Sequence, residues 1–181
     1  MKIAVTGAHR TGKSSLVEIL NESLPDYISK KEAYYELEET GHVFSEEPAF
    51  EDYILQLEYS VGQITTPVDN IIFDRCPIDM LAYIQANNEI ENFDIQSLYQ
   101  RVQRVMTEID LLIFIPIEDP DIIMCPESEL PELRQQVNEI LNDWVWDFNI
   151  DVIEVSGSTP ERKNQVIEYI SKKTNTGFEM H

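Results

Sequence analysis

The sequence predicts an α/β fold in which a five-stranded parallel sheet carries helices on both faces. Two observations lead to this prediction: short apolar runs alternate with longer segments of helical periodicity, and a glycine-rich loop directly follows the first run. Crossover connections between parallel strands are right-handed, so this alternation produces a doubly wound sheet. Ligands of such sheets bind beyond the carboxyl ends of the strands, which directs attention to the residues that follow each run.

The predicted strands are apolar and rich in β-branched residues, as expected of strands that are buried on both faces. The fourth run, 111–115, is the most apolar in the chain. We predict strands over residues 2–6, 26–31, 70–74, 111–115 and 151–155. The residues expected at the carboxyl edge of the sheet are then Gly7, Glu32, Asp74, Pro116 and Ser156.

Helices are predicted where apolar residues recur at intervals of three and four positions. The first begins at Lys13, and the last follows a capping-box pattern at 158–161. The others are predicted over residues 32–40, 49–64, 78–86, 95–109 and 132–148. Residues 116–131 contain four prolines and no periodic pattern, which indicates a lid or loop. We assign residues 1–173 to one domain that includes this lid, and residues 174–181 to a flexible tail.

Residues 7–14 fit the pattern G-x-x-x-x-G-K-[ST], which is typical of loops that bind nucleotide phosphates. Glycines let the N–H groups of such a loop turn inward around a phosphate, and the following helix adds its positive N-terminal end. Lys13 is expected to reach the β- and γ-phosphates of ATP, and the Ser14 hydroxyl to contact Mg²⁺. The residues predicted to bind the nucleotide are Gly7, Ala8, His9, Arg10, Thr11, Gly12, Lys13, Ser14 and Ser15. The alternative is a glycine-rich turn without a ligand.

A second motif begins at Asp74, at the end of a buried apolar strand. A carboxylate beside the phosphate loop can hold Mg²⁺ together with Ser14, or it can accept the proton of a hydroxyl group. The neighbouring Arg75 carries a planar fork of donors that suits a phosphate on the acceptor or on the transferring group. The alternative interpretation is that Asp74 caps the next helix and that Arg75 is solvated.

The formal net charge of −21, from 34 acidic and 13 basic residues, excludes some classes of partner. Binding to nucleic acid and to anionic membranes depends on clustered Lys and Arg, so we expect neither partner. Arg10, Lys13 and Arg75 are local exceptions in an acidic chain. Neither cysteine lies in a C-x-x-C pattern, and the first residues lack the apolar stretch of a signal peptide. We therefore expect reduced thiols and a cytoplasmic location.

The segment Asp74-Arg75, with Ala82-Tyr83 after it, resembles the Asp-Arg and Ala-Tyr segment of thymidylate kinases and the Glu-Arg-Ser segment of deoxynucleoside kinases. The likeness is greatest to small P-loop proteins described as AAA-domain or NadR-like kinases. Their pattern combines the glycine-rich loop, an acidic residue after the second strand and Asp-Arg-x-Pro-x-Asp-x-x-Ala-Tyr. The resemblance covers residues 1–115 by motif. It implies the sheet order 2-3-1-4-5 and an ATP-dependent phosphotransferase with Mg²⁺ and a small-molecule acceptor of the nucleoside, nucleotide or nicotinamide riboside type.

By this resemblance, Asp74 and Arg75 are the catalytic pair, and Lys13 acts on the transferring phosphate. Glu32 lies where such kinases keep a carboxylate that binds the acceptor or acts as a base. A solvated loop acid is an equally good interpretation of Glu32.

The chain departs from the pattern of these kinases in two respects. Thymidylate kinases have an aromatic residue at the position of Cys76 and Ser at that of Asp79, so their acceptor specificity does not carry over. Kinase lids usually carry arginines that stabilise charge on the transferring group, whereas residues 116–133 contain none. Arg134 is the substitute that the sequence offers. A nucleotide-binding regulatory module without substantial turnover is therefore the second hypothesis.

Two other classes of P-loop protein are disfavoured because their motifs are missing. The sequence contains no D-x-x-G or N-K-x-D pattern of a GTPase, and the strand that ends at Asp74 lacks the Asp-Glu pair of an AAA+ motor. Four aromatic residues can either stack on a base or pack in the core: Tyr34, Tyr35, Phe50 and Tyr53. The oligomeric state is left open, with a homodimer as one arrangement.

Overall fold

A computed structural model describes residues 1–46, 48–87 and 93–176 of the protein. Its strands form one parallel sheet in the order β2-β3-β1-β4-β5, which confirms the predicted fold class and sheet order. The strands are β1 (Lys2–Thr6), β2 (Ile28–Lys30), β3 (Ile71–Asp74), β4 (Leu111–Phe114) and β5 (Asp151–Glu154). Every residue of the three central strands β3, β1 and β4 is buried, in agreement with their apolar sequences.

Helices cover both faces of the sheet, so the domain has three layers. The described helices are α1 (Lys13–Ser23), α2 (Ala33–Glu39), α3 (Phe50–Ile64), α4 (Pro77–Ala86), α5 (Ile95–Met106), α6 (Pro131–Trp144) and α7 (Thr159–Thr176). The pair α1 and α7 covers one face, and α3, α4, α5 and α6 cover the other. The segment 116–130 contains one 3₁₀ turn, Glu127–Glu129, and is otherwise irregular, as its prolines predict.

The central strand β1 contributes to two separate cores because successive side chains of a strand point to opposite faces. Ile3 and Val5 pack against the face that carries α1 and α7, together with Leu16 and Val166. Ala4 packs into the larger core on the opposite face, which is built around α4. With both faces covered, the loops at the carboxyl edge are the part of the sheet that a ligand can reach.

Two helices end earlier than their apolar periodicity predicts. α5 ends at Met106, because the Asp110 N–H already donates to Lys2 O (2.9 Å) and begins the pairing of β4 with β1. α6 ends at Trp144, and the chain then turns so that Phe148 is buried against the core. In both cases a tertiary contact outweighs the local helical pattern.

The last helix, α7, extends to Thr176 and so includes the first residues of the segment predicted as a tail. Its C-terminal turn is held to the sheet by an ion pair between Lys173 and Asp151 of β5. Residues 177–181 lie outside the described part of the chain. None of the described helices is long and apolar enough to cross a membrane.

The carboxyl edge of the sheet brings the two sequence motifs together. β3 lies directly beside β1, with Asp74 in register with Val5, and the Arg75 N–H donates to Val5 O (3.0 Å). Asp74 therefore lies beside the strand that leads into Gly7, as the two motifs predict.

We expect Leu81→Ala to lower the free energy of unfolding by about 2–5 kcal/mol, because Leu81 of α4 is fully buried and its loss leaves a cavity. Urea denaturation followed by circular dichroism measures this change. Val43→Ala is the control, since Val43 is 87% exposed, and should change the value by less than about 0.5 kcal/mol. Similar losses in the two variants would contradict the assignment of α4 to the core.

Candidate functional site

The loop of residues 7–14 joins β1 to α1, and its conformation depends on glycine at two positions. Gly7 has a φ of 150°, and a Cβ at this position would lie 2.4 Å from Ile115 O. Gly12, the residue before α1, has a φ of 89°, which side-chain-bearing residues rarely adopt. At both glycine positions of the motif, the backbone conformation therefore disfavours a residue with a side chain.

The carbonyl groups of this loop all have donors, whereas of its N–H groups those of Gly7 and His9 donate within the protein, to Asp79 and Tyr83. The N–H groups between His9 and α1 are the ones that can turn towards a phosphate. Ala8 O accepts hydrogen bonds from Thr11 Oγ1 (3.0 Å) and from Lys13 Nζ (2.6 Å). Gly12 O accepts the first hydrogen bond of α1, from the Leu16 N–H (3.1 Å). The remaining carbonyl groups of residues 7–11 are bound by arginines.

Two of these arginines were candidates on sequence grounds. Arg75 Nη1 donates to Gly7 O (3.2 Å). Arg134, the first basic residue after the lid, donates from Nε to His9 O (2.9 Å) and from Nη2 to Arg10 O (3.1 Å). Both guanidinium groups are buried, so these contacts are made away from competing water.

A third arginine, Arg162, was not identified from the sequence. Its Nη1 donates to Thr11 O, and its Nη2 donates to Glu118 Oε1 (2.8 Å). Arg162 lies in the first turn of α7, where the positive end of the helix dipole disfavours a cation. This local conflict is the signal that could have identified Arg162, because such a residue needs a contact elsewhere in the fold.

The carboxylate of Asp79 holds the loop from the other side. It is fully buried; its Oδ1 accepts from the Gly7 N–H (3.1 Å), and its Oδ2 accepts from the Cys76 N–H (3.0 Å) at the start of α4. From the sequence, Asp79 was a position of the NadR-like pattern and a departure from thymidylate kinases, without an assigned role. An acid three residues after an N-cap is a recognisable signal for the helix contact, whereas the contact with Gly7 spans 72 positions and has no local signal.

Lys13 is buried at the base of the loop, with 5% of its surface exposed. Burial, followed by the charge of Arg75, lowers its pKa to about 7. A buried lysine with such a pKa gains most from a ligand that brings negative charge, since the ligand restores its protonated form. This is the behaviour expected of the lysine that contacts nucleotide phosphates.

Asp74 and Ser14 fit the predicted Mg²⁺ site. Asp74 is 8% exposed, and its Oδ1 has no hydrogen-bond partner among the described residues. Burial raises the pKa of Asp74 above its usual value, a hydrogen bond from the Ser14 hydroxyl counteracts this rise, and the charge of Glu32 adds to it. A buried carboxylate oxygen without a partner, beside a serine hydroxyl, has the chemistry of a ligand for a hard cation.

The buried Arg75 forms an ion pair with the half-buried Glu32, 43 positions away, with Arg75 Nε 2.9 Å from Glu32 Oε2. The Arg75 guanidinium also lies 5.4 Å from the centre of the Tyr83 ring. Arg75 has a φ of 72°, a left-handed conformation that is unusual for a residue with a side chain and is frequent at functional sites. The solvated interpretations of Glu32 and Arg75 are therefore wrong.

His9 is a neutral hydrogen-bonding group that joins α4 to the lid. Burial lowers its pKa to about 4. Its Nε2 lies 2.7 Å from Glu129 O, an acceptor, so Nε2 carries the proton. Its Nδ1 and its backbone N–H both lie 2.9 Å from the Tyr83 hydroxyl, which donates to the former and accepts from the latter.

The lid supplies carboxylates to the cations around the phosphate loop. Arg10 forms an ion pair with Glu129, and Arg134 forms one with Asp121. Arg134, expected from the sequence to act on the transferring phosphate, thus lies between the lid and the backbone of the loop. The same side chain can bind a phosphate only if the contact with Asp121 is rearranged.

A cleft of about 500 Å³ opens beside the phosphate loop, between α2, α3, α4 and the lid. Two pairs of stacked rings line it: Tyr34 with Phe44 (4.3 Å between centres) and Tyr53 with Tyr83 (5.3 Å). Glu32, His9 and Arg75 also line it. Of the aromatic candidates from the sequence, Tyr34 and Tyr53 reach the cleft. Tyr35 is 52% exposed, and Phe50 packs on the core.

We expect Asp79→Asn to weaken both the fold and Mg·ATP binding, because one amide oxygen cannot accept from both Gly7 and Cys76. The loss in unfolding free energy should be about 1–3 kcal/mol, measured by urea denaturation, with a parallel loss of ATP affinity in calorimetry. Asp94→Asn is the matched control: Asp94 caps α5, where its Oδ1 accepts from the Ser97 N–H (3.0 Å), far from the loop in the fold. Unchanged ATP affinity in Asp79→Asn would show that Asp79 acts only as a cap of α4 and does not support the phosphate loop.

Comparison with known proteins agrees with this geometry. A family model described as "AAA domain" matches residues 2–162. No curated protein matches the chain. Solved structures with a similar fold include deoxyadenosine kinase from M. mycoides with bound dATP, at 18% identity and a TM-score of 0.63, covering 94% of this chain and 100% of that chain.

Two further structures extend the comparison. Thymidylate kinase from Candida albicans has a TM-score of 0.62 at 18% identity, covering 96% of this chain and 92% of that one. NadR protein in complex with NR has a TM-score of 0.63 at 22% identity, covering 87% of this chain but 44% of the NadR chain. At these identities the structures establish the fold, and the family model covers most of the chain. The protein belongs to the AAA domain family, and its fold is that of the P-loop nucleoside and nucleotide kinases.

Proposed function

We propose that the protein transfers the γ-phosphoryl group of ATP to a hydroxyl group of a small nucleoside-like acceptor. The observation that carries this proposal is the position of Arg75, whose side chain contacts both the phosphate loop, at Gly7 O, and the cleft, at Glu32. A phosphate bound by the loop and a molecule in the cleft would meet at this side chain. Such proximity is the main requirement of phosphoryl transfer.

On the ATP side, we assign the N–H groups of the loop and Lys13 to the phosphates. Asp74 and Ser14 would hold Mg²⁺, which neutralises charge on the phosphates when it is bound. The orphan Oδ1 of Asp74 supports this assignment. We also propose that the reaction takes place in the cytoplasm.

On the acceptor side, we assign Glu32 as the base. Glu32 lines the cleft, whereas Asp74 lies towards Ser14, so the geometry favours different roles for the two carboxylates. Glu32 would accept the proton of the acceptor hydroxyl, and Arg75 would orient Glu32 and contact the transferring group.

A second candidate is a regulatory module that binds ATP without substantial turnover. One observation favours it: Arg134 and Arg162 are both engaged with the backbone of the loop, so neither is aimed at a transferring phosphate. ADP formation by the purified protein, measured with a panel of nucleosides and nucleotides, separates the two candidates. Binding of ATP without turnover on any acceptor would favour the module.

We expect Glu32→Gln and Asp74→Asn each to reduce turnover by about 10²–10⁴-fold, because the first removes the proposed base and the second removes a proposed ligand of Mg²⁺. Glu32→Gln should leave Mg·ATP affinity within about threefold, whereas Asp74→Asn should also raise the Mg²⁺ concentration needed for half-maximal rate. Coupled assays of ADP formation and calorimetry measure both effects. Glu154→Gln is the control, since Glu154 is an exposed acid at the end of β5. If turnover of Asp74→Asn stays within threefold of that of the parent protein, Asp74 does not have the proposed role in the site.

We expect Mg·ATP binding to take up protons at pH 8 and to take up almost none at pH 6. The pKa of Lys13 is about 7 in the folded protein and 10.5 in its ordinary state, so Lys13 is largely neutral at pH 8 until phosphates restore its charge. Because the pKa of Lys13 is higher in the unfolded chain, the unfolded chain binds more protons than the folded protein above pH 7. Lys13 therefore makes the free energy of unfolding rise with pH between about pH 7 and 10. Calorimetry in two buffers of different ionisation enthalpy measures the uptake. Equal uptake at both pH values would contradict the assignment to Lys13.

A further inference from the structure

The lid lies against the phosphate loop and is held there by direct contacts. Glu129 O accepts a hydrogen bond from His9 Nε2 (2.7 Å), and the Glu129 carboxylate forms the ion pair with Arg10. At the other end of the lid, Ile123 Cδ1 lies 3.5 Å from the position that a Cβ on Gly12 would occupy. The lid is therefore fixed to the loop at two separate places.

Two arginines connect the lid to the loop indirectly. Arg134 donates from Nε to the loop backbone and forms an ion pair with Asp121 of the lid. Arg162 donates to Thr11 O and forms an ion pair with Glu118, at the start of the lid. Three carboxylates of the lid are thus bound to cations that belong to the loop or contact it.

The lid leaves no room on the side of the loop that ATP needs. In phosphoryl transfer the attacking and leaving oxygens lie roughly in line, so the acceptor and ADP lie on opposite sides of the transferring group. The cleft proposed for the acceptor opens over the face of α3 and α4, which leaves the side towards α1 and α7 for the nucleoside part of ATP.

The space on this second side is closed. Ligand sites commonly measure about 300–1,000 Å³, whereas this space has no volume that a water-sized sphere can enter. It lies between the loop and the lid, and its lining includes Arg10, Thr11, Ile122, Ile123 and Arg162. A nucleoside can enter there only if the lid residues move away.

The lid ends at a residue with an unfavourable backbone conformation. Leu130 has a φ of 53°, in the left-handed region that residues with a side chain rarely adopt, and Pro131 begins α6 directly after it. Such a conformation persists where the surrounding contacts hold it, and the contacts of Glu129 with the loop are adjacent. The junction can relax when those contacts break, which is the behaviour of a hinge.

We infer that the lid is an autoinhibitory element: its carboxylates hold it closed over the ATP side of the loop, and Mg·ATP binds when the lid opens about Leu130. The inference rests on the proposed function for the position of ATP. If the lid is mostly closed, the apparent dissociation constant of ATP is the intrinsic constant divided by the open fraction. Weakening the contacts of the lid should therefore increase the affinity for ATP, whereas the loss of a supporting contact would decrease it.

Glu129→Gln tests the inference, because it removes a lid carboxylate and leaves the loop sequence intact. The affinity of the full chain for Mg·ATP, measured by calorimetry, should rise by about two- to fivefold, as expected when one exposed ion pair is lost. Hydrogen exchange of the backbone amides of residues 116–130, measured without nucleotide, should be faster in the same variant.

Glu127→Gln is the matched control for this test. Glu127 belongs to the same 3₁₀ turn, is exposed, and takes part in none of the ion pairs of the described residues. The control variant loses the same charge from the same segment, so it should change neither ATP affinity nor lid exchange.

Asp121→Asn is a second variant at the other end of the lid. It removes the charge opposite Arg134, and the Asn oxygen can still accept from the Ile123 N–H, as Asp121 Oδ1 does (3.1 Å). Its effect on ATP affinity should have the same sign as that of Glu129→Gln. In the double variant the two increases should multiply, because the carboxylates pair with different arginines.

Two results would overturn the inference. Lower or unchanged ATP affinity in Glu129→Gln would show that this carboxylate does not oppose nucleotide binding. Higher affinity without faster lid exchange would also overturn it, because the loss of a negative charge near the phosphates is then a sufficient cause.

The failure of the proposed function is read separately, from ADP formation. Lid variants that bind ATP more tightly and open faster, but phosphorylate no nucleoside or nucleotide, support the autoinhibitory lid and leave the regulatory module as the function. Turnover in the parent protein together with unchanged affinity in both lid variants overturns the autoinhibitory lid and leaves the kinase assignment intact. Absence of Mg·ATP binding in the parent and in both variants overturns both.

Discussion

The structure of the site depends on the hydrogen bonds between three arginines and the carbonyl groups of the phosphate loop. A loop can offer its N–H groups to a phosphate only if its carbonyl groups have other partners. Here Arg75, Arg134 and Arg162 supply those partners from three different parts of the chain, and Asp79 holds the first N–H of the loop. The side chains of the three arginines and of Asp79 are buried, which shields these bonds from competing water.

Some of the acidic residues of the chain compensate the charges of these three arginines. Buried guanidinium groups are costly unless they are paired, and each of the three has a carboxylate: Glu32 for Arg75, Asp121 for Arg134 and Glu118 for Arg162. Two of these carboxylates come from the lid segment. The lid therefore contributes acids that bind cations of the domain body, which is the reverse of a lid whose arginines bind phosphates.

The sequence predicted the fold and the identity of most site residues, because these depend on local patterns. The parallel sheet followed from the alternation of strands and helices, its order 2-3-1-4-5 followed from the family resemblance, and the glycine-rich loop followed from residues that are adjacent in the chain. Asp79 and Arg162 were missed in their present roles, since their contacts with the loop span 72 and 151 positions. Glu32 had two equal interpretations until the fold brought it to Arg75.

By itself, the sequence determined which chemical groups are present and at which edge of the sheet they lie, because strand alternation and the position of each residue after its strand are local properties. Only the tertiary structure decided how their charges are compensated. Whether Arg75 is free or paired, whether His9 is charged or neutral, and whether the cleft is acidic or basic all depend on neighbours from distant segments and on burial. Periodicity carries no information about such neighbours, since electrostatic environment is a property of packing in three dimensions.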